Sequence, residues 1–343
     1  MKNTALAAIV LIGSPVAWSN PGSASDVSTL WSHSVRVAQA APARSTVPAA
    51  EEDEFLSLLE KNIVSGGPPK DGIPAVDDPQ YTSAGEADQW LVPEDIVFGI
   101  DYEGFVAAYP QRILVWHEIA NELVDGEQLS ITYCPLTGTA IGFKGNLARE
   151  TPSTFGVSGR LVNSNLIMYD RATDSLWPQI PGKAIAGSLR ATRLDEFPVA
   201  WTTWEQWKEK HPNTRVLSQQ TGFLRNYSSN RDPYGSYLEN DKGYYESERL
   251  LFPPITEDRQ LHPKAVVVGF RDRSGNAAAI AKDRLRQEKQ IEVQLGGRTV
   301  VVTYDPELDF HSAAFKDTAE WINAFDAMWF AWKAFYPDTQ LLQ

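Results

Sequence analysis

The chain has 343 residues, 43% of them hydrophobic and 22% charged, with a formal net charge of −13. That is longer than one ordinary core of about 100–200 residues, and it carries enough apolar material for a sizeable one. The acidic balance makes nucleic acid and anionic membrane surfaces poor partners, because like charges repel.

The first 19 residues read as a signal peptide. Lys2 supplies the positive start, residues 5–13 the apolar run, and Ala17-Trp18-Ser19 a small-x-small cleavage site. The run is shorter than the roughly 18–20 residues a membrane span needs. The expectation is an exported soluble protein, periplasmic or extracellular, without a membrane span. Residues 20–50 are rich in Ser, Ala and Pro and read as a disordered linker. Residues 51–70 read as an amphipathic helix. Phe55, Leu58, Leu59 and Ile63 fall at helical spacing, and Gly66-Gly67-Pro68-Pro69 stops it.

From Asp71 the signals are mostly short strands with turn residues between them, among them residues 96–100, 128–133, 140–145 and 165–171. Residues 201–212 predict a helix capped by Thr202 or Thr203, with Trp204 and Trp207 on one face and His211-Pro212 at its end. Residues 226–254 are tyrosine-rich and read as an ordered excursion, since their aromatic rings need burial. Residues 319–337 predict an apolar terminal helix. Trp321, Phe325, Met328, Trp329, Trp332 and Phe335 recur at three- and four-residue steps, and Pro337 ends it.

An internal repeat runs through this pattern. Residues 92–114 lie over 262–285: Pro93 meets Pro263, Val97 meets Val267 and Gly99 meets Gly269, each 170 positions apart. After one inserted residue the offset is 171, which places Leu114 on Leu285 and Thr132, Tyr133 and Pro135 on Thr303, Tyr304 and Pro306. Each copy has a hairpin closing on Asp-Gly or Gly-Gly and ends at Tyr-x-Pro. The expected fold is α+β and β-rich: two repeat-related antiparallel lobes, 71–254 and 255–343, with an aromatic C-terminal helix across them. Cys134 takes the slot that Asp305 fills in the second copy, and the expectation is that both corners face a shared groove.

Cys134 is the only cysteine, so no intramolecular disulfide forms. If the hairpin runs from about Ala120 to Tyr133, His117 enters beside the point where Cys134 leaves. Thiolate with imidazole suits copper or zinc, a third ligand coming from Asp170, Glu118 or His311. The same pair also suits a nucleophilic thiol, while a buried inert cysteine is the plain structural alternative. In residues 168–179, Asp170 and Arg171 follow a strand; the guanidinium fork of Arg171 suits a carboxylate or phosphate, or the two residues simply organise a turn. Trp177, Asn121 and Thr137 are candidates to face a ligand, Trp177 with a core position as its alternative. Ser158-Gly159 lacks the spacing of a hydrolase nucleophile elbow, and no H-E-x-x-H is present.

The stretches DGIPAVDDP, WHEIAN, TYCPLTGTAIGF, GVSGRLVNSNLIMYDRATDSLWPQ, DPYGSY and WFAWKAFYP together resemble a prokaryotic family known as domain of unknown function 3179. The resemblance spans nearly everything from Asp71 to Pro337 and implies no reaction. Many relatives carry a second cysteine where this chain has Thr137, so a redox or metal-binding cysteine pair is not implied for this member. The function expected is export with binding of a transition metal or small molecule near Cys134 and His117. The alternatives are a thiol-dependent enzyme and a structural protein.

Overall fold

The computed structural model describes residues 49–147, 151–228, 231–235 and 243–343. The expected signal peptide and nearly all of the expected linker lie outside the described residues. The chain opens with helix α1 (Ala49–Lys61) and a two-residue strand β1 (Val64–Ser65). Strand β2 (Tyr81–Ser83) leads into α2 (Ala84–Ala87), which begins with a Ser83/Glu86 capping box.

The first half continues with β3 (Ile96–Tyr102), β4 (Phe105–Pro110), α3 (Gln111–Leu114), β5 (Ile119–Val124), β6 (Glu127–Cys134) and β7 (Thr139–Lys144). An inserted segment follows, carrying β8 (Asn146–Leu147), β9 (Thr151–Pro152), β10 (Phe155–Val162), β11 (Asn165–Asp170) and β12 (Leu176–Pro178). Strands β13 (Glu196–Phe197) and β14 (Ala200–Thr203), helix α4 (Trp204–Lys210) and β15 (Arg215–Leu217) complete this half. The second half holds β16 (Val266–Arg271), β17 (Ala277–Ala281), α5 (Lys282–Glu288), β18 (Gln290–Leu295), β19 (Arg298–Asp305) and β20 (Phe310–Phe315). It closes with β21 (Trp321–Ile322), β22 (Ala324–Met328), α6 (Trp329–Phe335) and β23 (Gln340–Leu342). The protein is therefore α+β and β-rich.

The halves use one plan. One sheet runs β14-β3-β4-β15, with β2 outside β15; its counterpart runs β22-β16-β17-β23. In each, the first two pairings are antiparallel and the last is parallel. The other sheets run β13-β7-β6-β5 and β21-β20-β19-β18. Registers agree residue by residue: Phe197 pairs with Gly142, and Ile322 with Ala313. The hairpins turn at Asp125-Gly126 and Gly296-Gly297, all four residues at positive φ, the geometry a two-residue primed turn needs.

A shared packing rule fixes each helix. Gly99 lies under the Trp207 indole and Gly269 under Trp332; a Cβ on either glycine would sit 2.3 Å from the ring. Each indole then donates to a threonine seven residues on, Trp207 to Thr214 at 3.0 Å and Trp332 to Thr339 at 2.9 Å. Thr203 caps α4, accepting from the Gln206 N–H at 3.3 Å.

The terminal apolar run is not one helix. Ala324–Met328 forms β22, paired with β16 from Val266 to Phe270, and only Trp329–Phe335 is helical. Every residue of β22 is buried, so an apolar spacing of three and four arose from burial on both faces rather than from helical amphipathicity. Phe325, Trp329 and Trp332 pack into the same core as Phe143, Phe155, Met168 and Trp177, which joins the halves.

The two Tyr-x-Pro corners do not share a groove. Each docks on a segment of the opposite half. The Met328 N–H, at the start of α6, donates to Thr137 O at 2.8 Å. The Gln206 amide of α4 donates to Pro306 O at 3.4 Å, and Lys210 pairs with Glu307.

Candidate functional site

The corner at the end of β6 is built by local rules. Cys134 pairs with Thr139, and Pro135 ends the ladder. On the opposite strand the chain leaves α3 through Glu118, whose φ is 58°. Its N–H donates to Leu114 O at 2.6 Å, and its carbonyl accepts from the Tyr133 N–H at 2.7 Å. This left-handed bend breaks the β5–β6 register below Ile119, so His117 does not continue the strand opposite Cys134.

His117 is fully buried and committed elsewhere. Its Nδ1 lies 2.7 Å from Pro74 O, which it must donate to, and its Nε2 lies 2.6 Å from the Tyr227 hydroxyl. Burial pushes its pKa down, so the ring is neutral and Nε2 accepts from Tyr227. Both nitrogens are thus taken, and the expected Cys134–His117 metal pair does not fit this geometry. Among the described residues, no group of three or more His, Cys, Asp or Glu is arranged to hold a metal ion.

The acid whose charge reaches the sulfur is Glu118. Cys134 is 1% exposed and Glu118 7%. Burial raises the thiol to about 11, with the nearby Glu118 charge adding to it. Burial alone raises Glu118 to about 8; among the described residues its carboxyl has neither a hydrogen-bond donor nor a cation beside it. Two N–H groups turn toward the sulfur, that of Leu166 at 3.3 Å and that of Thr137, which lower the thiol's pKa in part. The thiol itself points at Ser164 O, 3.7 Å away.

Three segments seal this corner, and the second half lacks two of them. The inserted segment supplies Ser164 and Leu166. The excursion supplies Tyr234 and Tyr244; the Tyr244 hydroxyl donates to Leu136 O at 2.8 Å. Tyr234 feels the Glu118 and Cys134 charges, and its ring meets that of Tyr244 edge-on at 6.1 Å. The third segment is the start of α6. Lys264 anchors the excursion from beneath, donating to Tyr244 O and Arg249 O with its ammonium 3.4 Å from the Tyr244 ring centroid.

Thr137 belongs to a buried polar network rather than to a ligand surface. Its hydroxyl lies 2.8 Å from that of Thr139, which donates to Gln179 Oε1 at 2.7 Å. The Gln179 amide donates to Thr132 at 2.8 Å, and Asn165 donates to Thr137 and Gln179 at 3.1 Å each. These bonds tie the corner to β11 and fix its shape.

The other candidates lie apart from the sulfur. Asp170 is fully buried and organises its own turn, accepting from Thr173 N at 2.6 Å, Ser175 N at 3.2 Å and the Trp177 indole at 2.9 Å. Trp177 is a fully buried core residue, its ring edge-on to Phe155. Arg171 forks onto Asp77 at 2.8 and 3.0 Å, so the carboxylate it binds is internal. Asn121 donates to the same Asp77 at 2.7 Å and accepts from Ser130 at 2.6 Å. His311 lies in the second half beside Asp326. Ser158 sits in a β-bulge of β10, its hydroxyl within hydrogen-bond reach of Ile167 O at 2.5 Å. A cavity of about 660 Å³ opens next to this bulge, lined in part by Val64, Lys70 and Arg160, and touches none of the groups around Cys134.

Sequence reasoning ranked Glu118 only as a third ligand and missed Tyr234, Tyr244 and Gln179. The repeat offset sets Glu118 over Lys289, and in the structure both stand at positive φ, 58° and 65°. A bend that serves an exposed lysine in one copy holds a buried acid in the other.

A family model described as Protein of unknown function (DUF3179) matches residues 70–319. The chain belongs to this family. No curated protein and no solved structure matches the chain. The matched region takes in the Cys134 corner, the inserted segment and the excursion, and stops before β21. No helix among the described residues is long and apolar enough to cross a membrane.

Proposed function

We propose that this family member is an exported protein that takes a small molecule at the Cys134 corner, with the thiol as the reacting group and Glu118 as its proton acceptor. One observation carries the reading. Of two corners built on one plan, the first holds two buried ionisable groups with no cation beside them among the described residues, under chain segments the second corner lacks. Unpaired buried acids are costly and concentrate where chemistry needs them. A group titrating near 8 is poised to accept a proton at the pH of use. In the step proposed, the Cys134 proton passes to the Glu118 carboxylate, the sulfur lone pair adds to a carbonyl carbon of the small molecule, and the carbonyl π pair moves to its oxygen, which then takes the proton from Glu118. The Leu166 and Thr137 N–H groups hold the sulfur's negative charge until that bond forms.

Resident copper or zinc on Cys134 and His117 has less support, because the imidazole is occupied. Export rests on the charged start, apolar run and cleavage pattern of the first 19 residues.

Iodoacetamide modification of the folded full chain, followed by mass spectrometry from pH 6 to 10, tests the reading. A single adduct on Cys134 is expected, with a rate that climbs as Glu118 ionises near pH 8. Glu118→Gln should lower that rate by about 10²-fold and remove the step. A thiol inert in both proteins until the fold is lost would make the corner structural. Stoichiometric copper or zinc that disappears in Cys134→Ser would restore the metal reading.

A further inference from the structure

The two halves differ at one more place, the outer edge of the hairpin sheets. In the first half that edge is β5, and it is occupied. The Val76 N–H donates to Ile119 O at 2.9 Å, and the Asn121 N–H donates to Val76 O at 2.8 Å. The repeat offset carries Ile119 and Asn121 to Gln290 and Glu292 on β18. Like β5, β18 is the last strand of its sheet, paired with β19 on its inner side. Among the described residues nothing takes the place of Val76 there: no backbone hydrogen bond or bridge reaches the outer side of β18.

The hairpin fixes which groups point outward. Leu295 and Arg298 close the two-residue turn, so Leu295, Val293 and Ile291 bond to β19. Lys289 O, two residues earlier, likewise accepts from the Tyr304 N–H at 2.8 Å. The N–H and C=O groups of Gln290, Glu292 and Gln294 therefore face away from the sheet. The side chains of these three are exposed, and those of Ile291, Val293 and Leu295 are buried. The strand has no proline and no bulge, and its single charge, Glu292, is held by Lys316 at 2.7 Å. An edge of this length without such blocks is a template for another strand.

We propose that β18 is a dimerisation edge, on which two copies of the chain pair β18 with β18, antiparallel, about a twofold axis at Val293. This is the register that pairs most of the strand while keeping apolar side chains on one face, with Ile291 opposite Leu295 of the second copy and Glu292 opposite Gln294. It also brings the outward groups together. Glu292 and Gln294 exchange both backbone hydrogen bonds, and no like charges stand opposite each other. The strand's two ends are complementary. Lys289, at one end, lies over the Tyr304 ring and has no carboxylate in ion-pair range among the described residues. It meets the Gly296-Gly297 end of the second copy, where Asp272 lies against Gly296 and Arg298 is outnumbered by Asp317 and Glu320. Two four-stranded sheets become one continuous sheet. The dimer is independent of the Cys134 proposal.

Sedimentation velocity of the full chain, from low micromolar to near-millimolar concentration, tests it. A monomer–dimer equilibrium is expected. Gln294→Pro removes one outward N–H and should leave a monomer throughout; the fold tolerates proline there because that N–H bonds nothing within the sheet. Gln294→Lys sets opposite charges at two places across the axis, and Gln294→Glu sets like charges there. The dimer Kd should fall with lysine and rise with glutamate, each by about 2- to 30-fold. A wild type that stays monomeric throughout, or a dimer whose Kd ignores all three substitutions, overturns the proposal. Should Gln294→Pro fail to fold, the lysine and glutamate variants decide, because that side chain is exposed.

Discussion

At the end of β6 the chain turns through Tyr133-Cys134-Pro135; at the end of β19 it turns through Tyr304-Asp305-Pro306. The backbone is the same at both. Tyr304 N–H donates to Lys289 O at 2.8 Å, as Tyr133 N–H donates to Glu118 O at 2.7 Å. The surroundings differ. Lys289 is exposed with its ammonium over the Tyr304 ring, and Asp305 is half-exposed and accepts from the Glu307 N–H. Cys134 and Glu118 lie under the inserted segment and the excursion. One scaffold therefore supports a solvated turn in one place and a sealed acid–thiol pair in the other. The difference teaches that burial here comes from what covers the corner, not from the corner itself.

The scaffold side of this comparison breaks first at the indoles. Trp207→Ala and Trp332→Ala each remove a fully buried ring that packs on a glycine, and each should cost about 3–5 kcal/mol in urea unfolding. A cost below 1 kcal/mol at one of them would show that the halves are not built alike. A smaller effect separates the two bends. Glu118 has a folded pKa near 8 against 4.5 in the unfolded chain. The folded state holds the proton more tightly, so stability is full below pH 4.5 and is lost as pH rises through 8. Glu118→Gln should therefore be increasingly more stable than the wild type across that window, by on the order of a few kcal/mol at pH 9. Lys289→Gln should change stability by less than about 0.5 kcal/mol. Equal responses at the two bends would end the claim that burial distinguishes them.

The smallest effect sharpens the comparison from the other side. His311 occupies the position of Ala140 in the first half and lies 3.8 Å from Asp326. Burial lowers it to about 4. Around it, Lys282 pairs with Asp326 at 2.6 Å and Asp309 at 3.3 Å, and Asp309 also binds Arg286 and Tyr304. The unfolded chain takes up the proton first, so stability is full above pH 6.5 and falls as pH drops toward 4. His311→Gln should flatten that part of the acid stability curve, by on the order of 2–3 kcal/mol at pH 4. An unchanged acid limb would assign the loss to carboxylates elsewhere.

The hairpins, their primed turns and the Tyr-x-Pro stops were legible because each depends on neighbours in sequence. So was α4, with a threonine cap and two tryptophans on one face. The end of the chain was misread because β22 is buried on both faces, and apolar periodicity carries no information when every position is buried. The Cys134–His117 pairing failed on one dihedral: a left-handed Glu118 turns His117 out of register and onto Pro74 and Tyr227. No pattern in the sequence marks an acid that takes a conformation favoured by glycine.

By itself, the sequence determined the β-rich class, the positions of the turns and the spacing that overlays the two halves. Those follow from side-chain alternation and backbone preference, which act over a few residues. Only the tertiary structure decided which corner is sealed and which acid acts on the sulfur. Desolvation and charge pairing are set by residues far apart in sequence, as with Leu136 and Tyr244, 108 positions apart and sharing one hydrogen bond. Local rules made two similar corners, and long-range burial covered one of them.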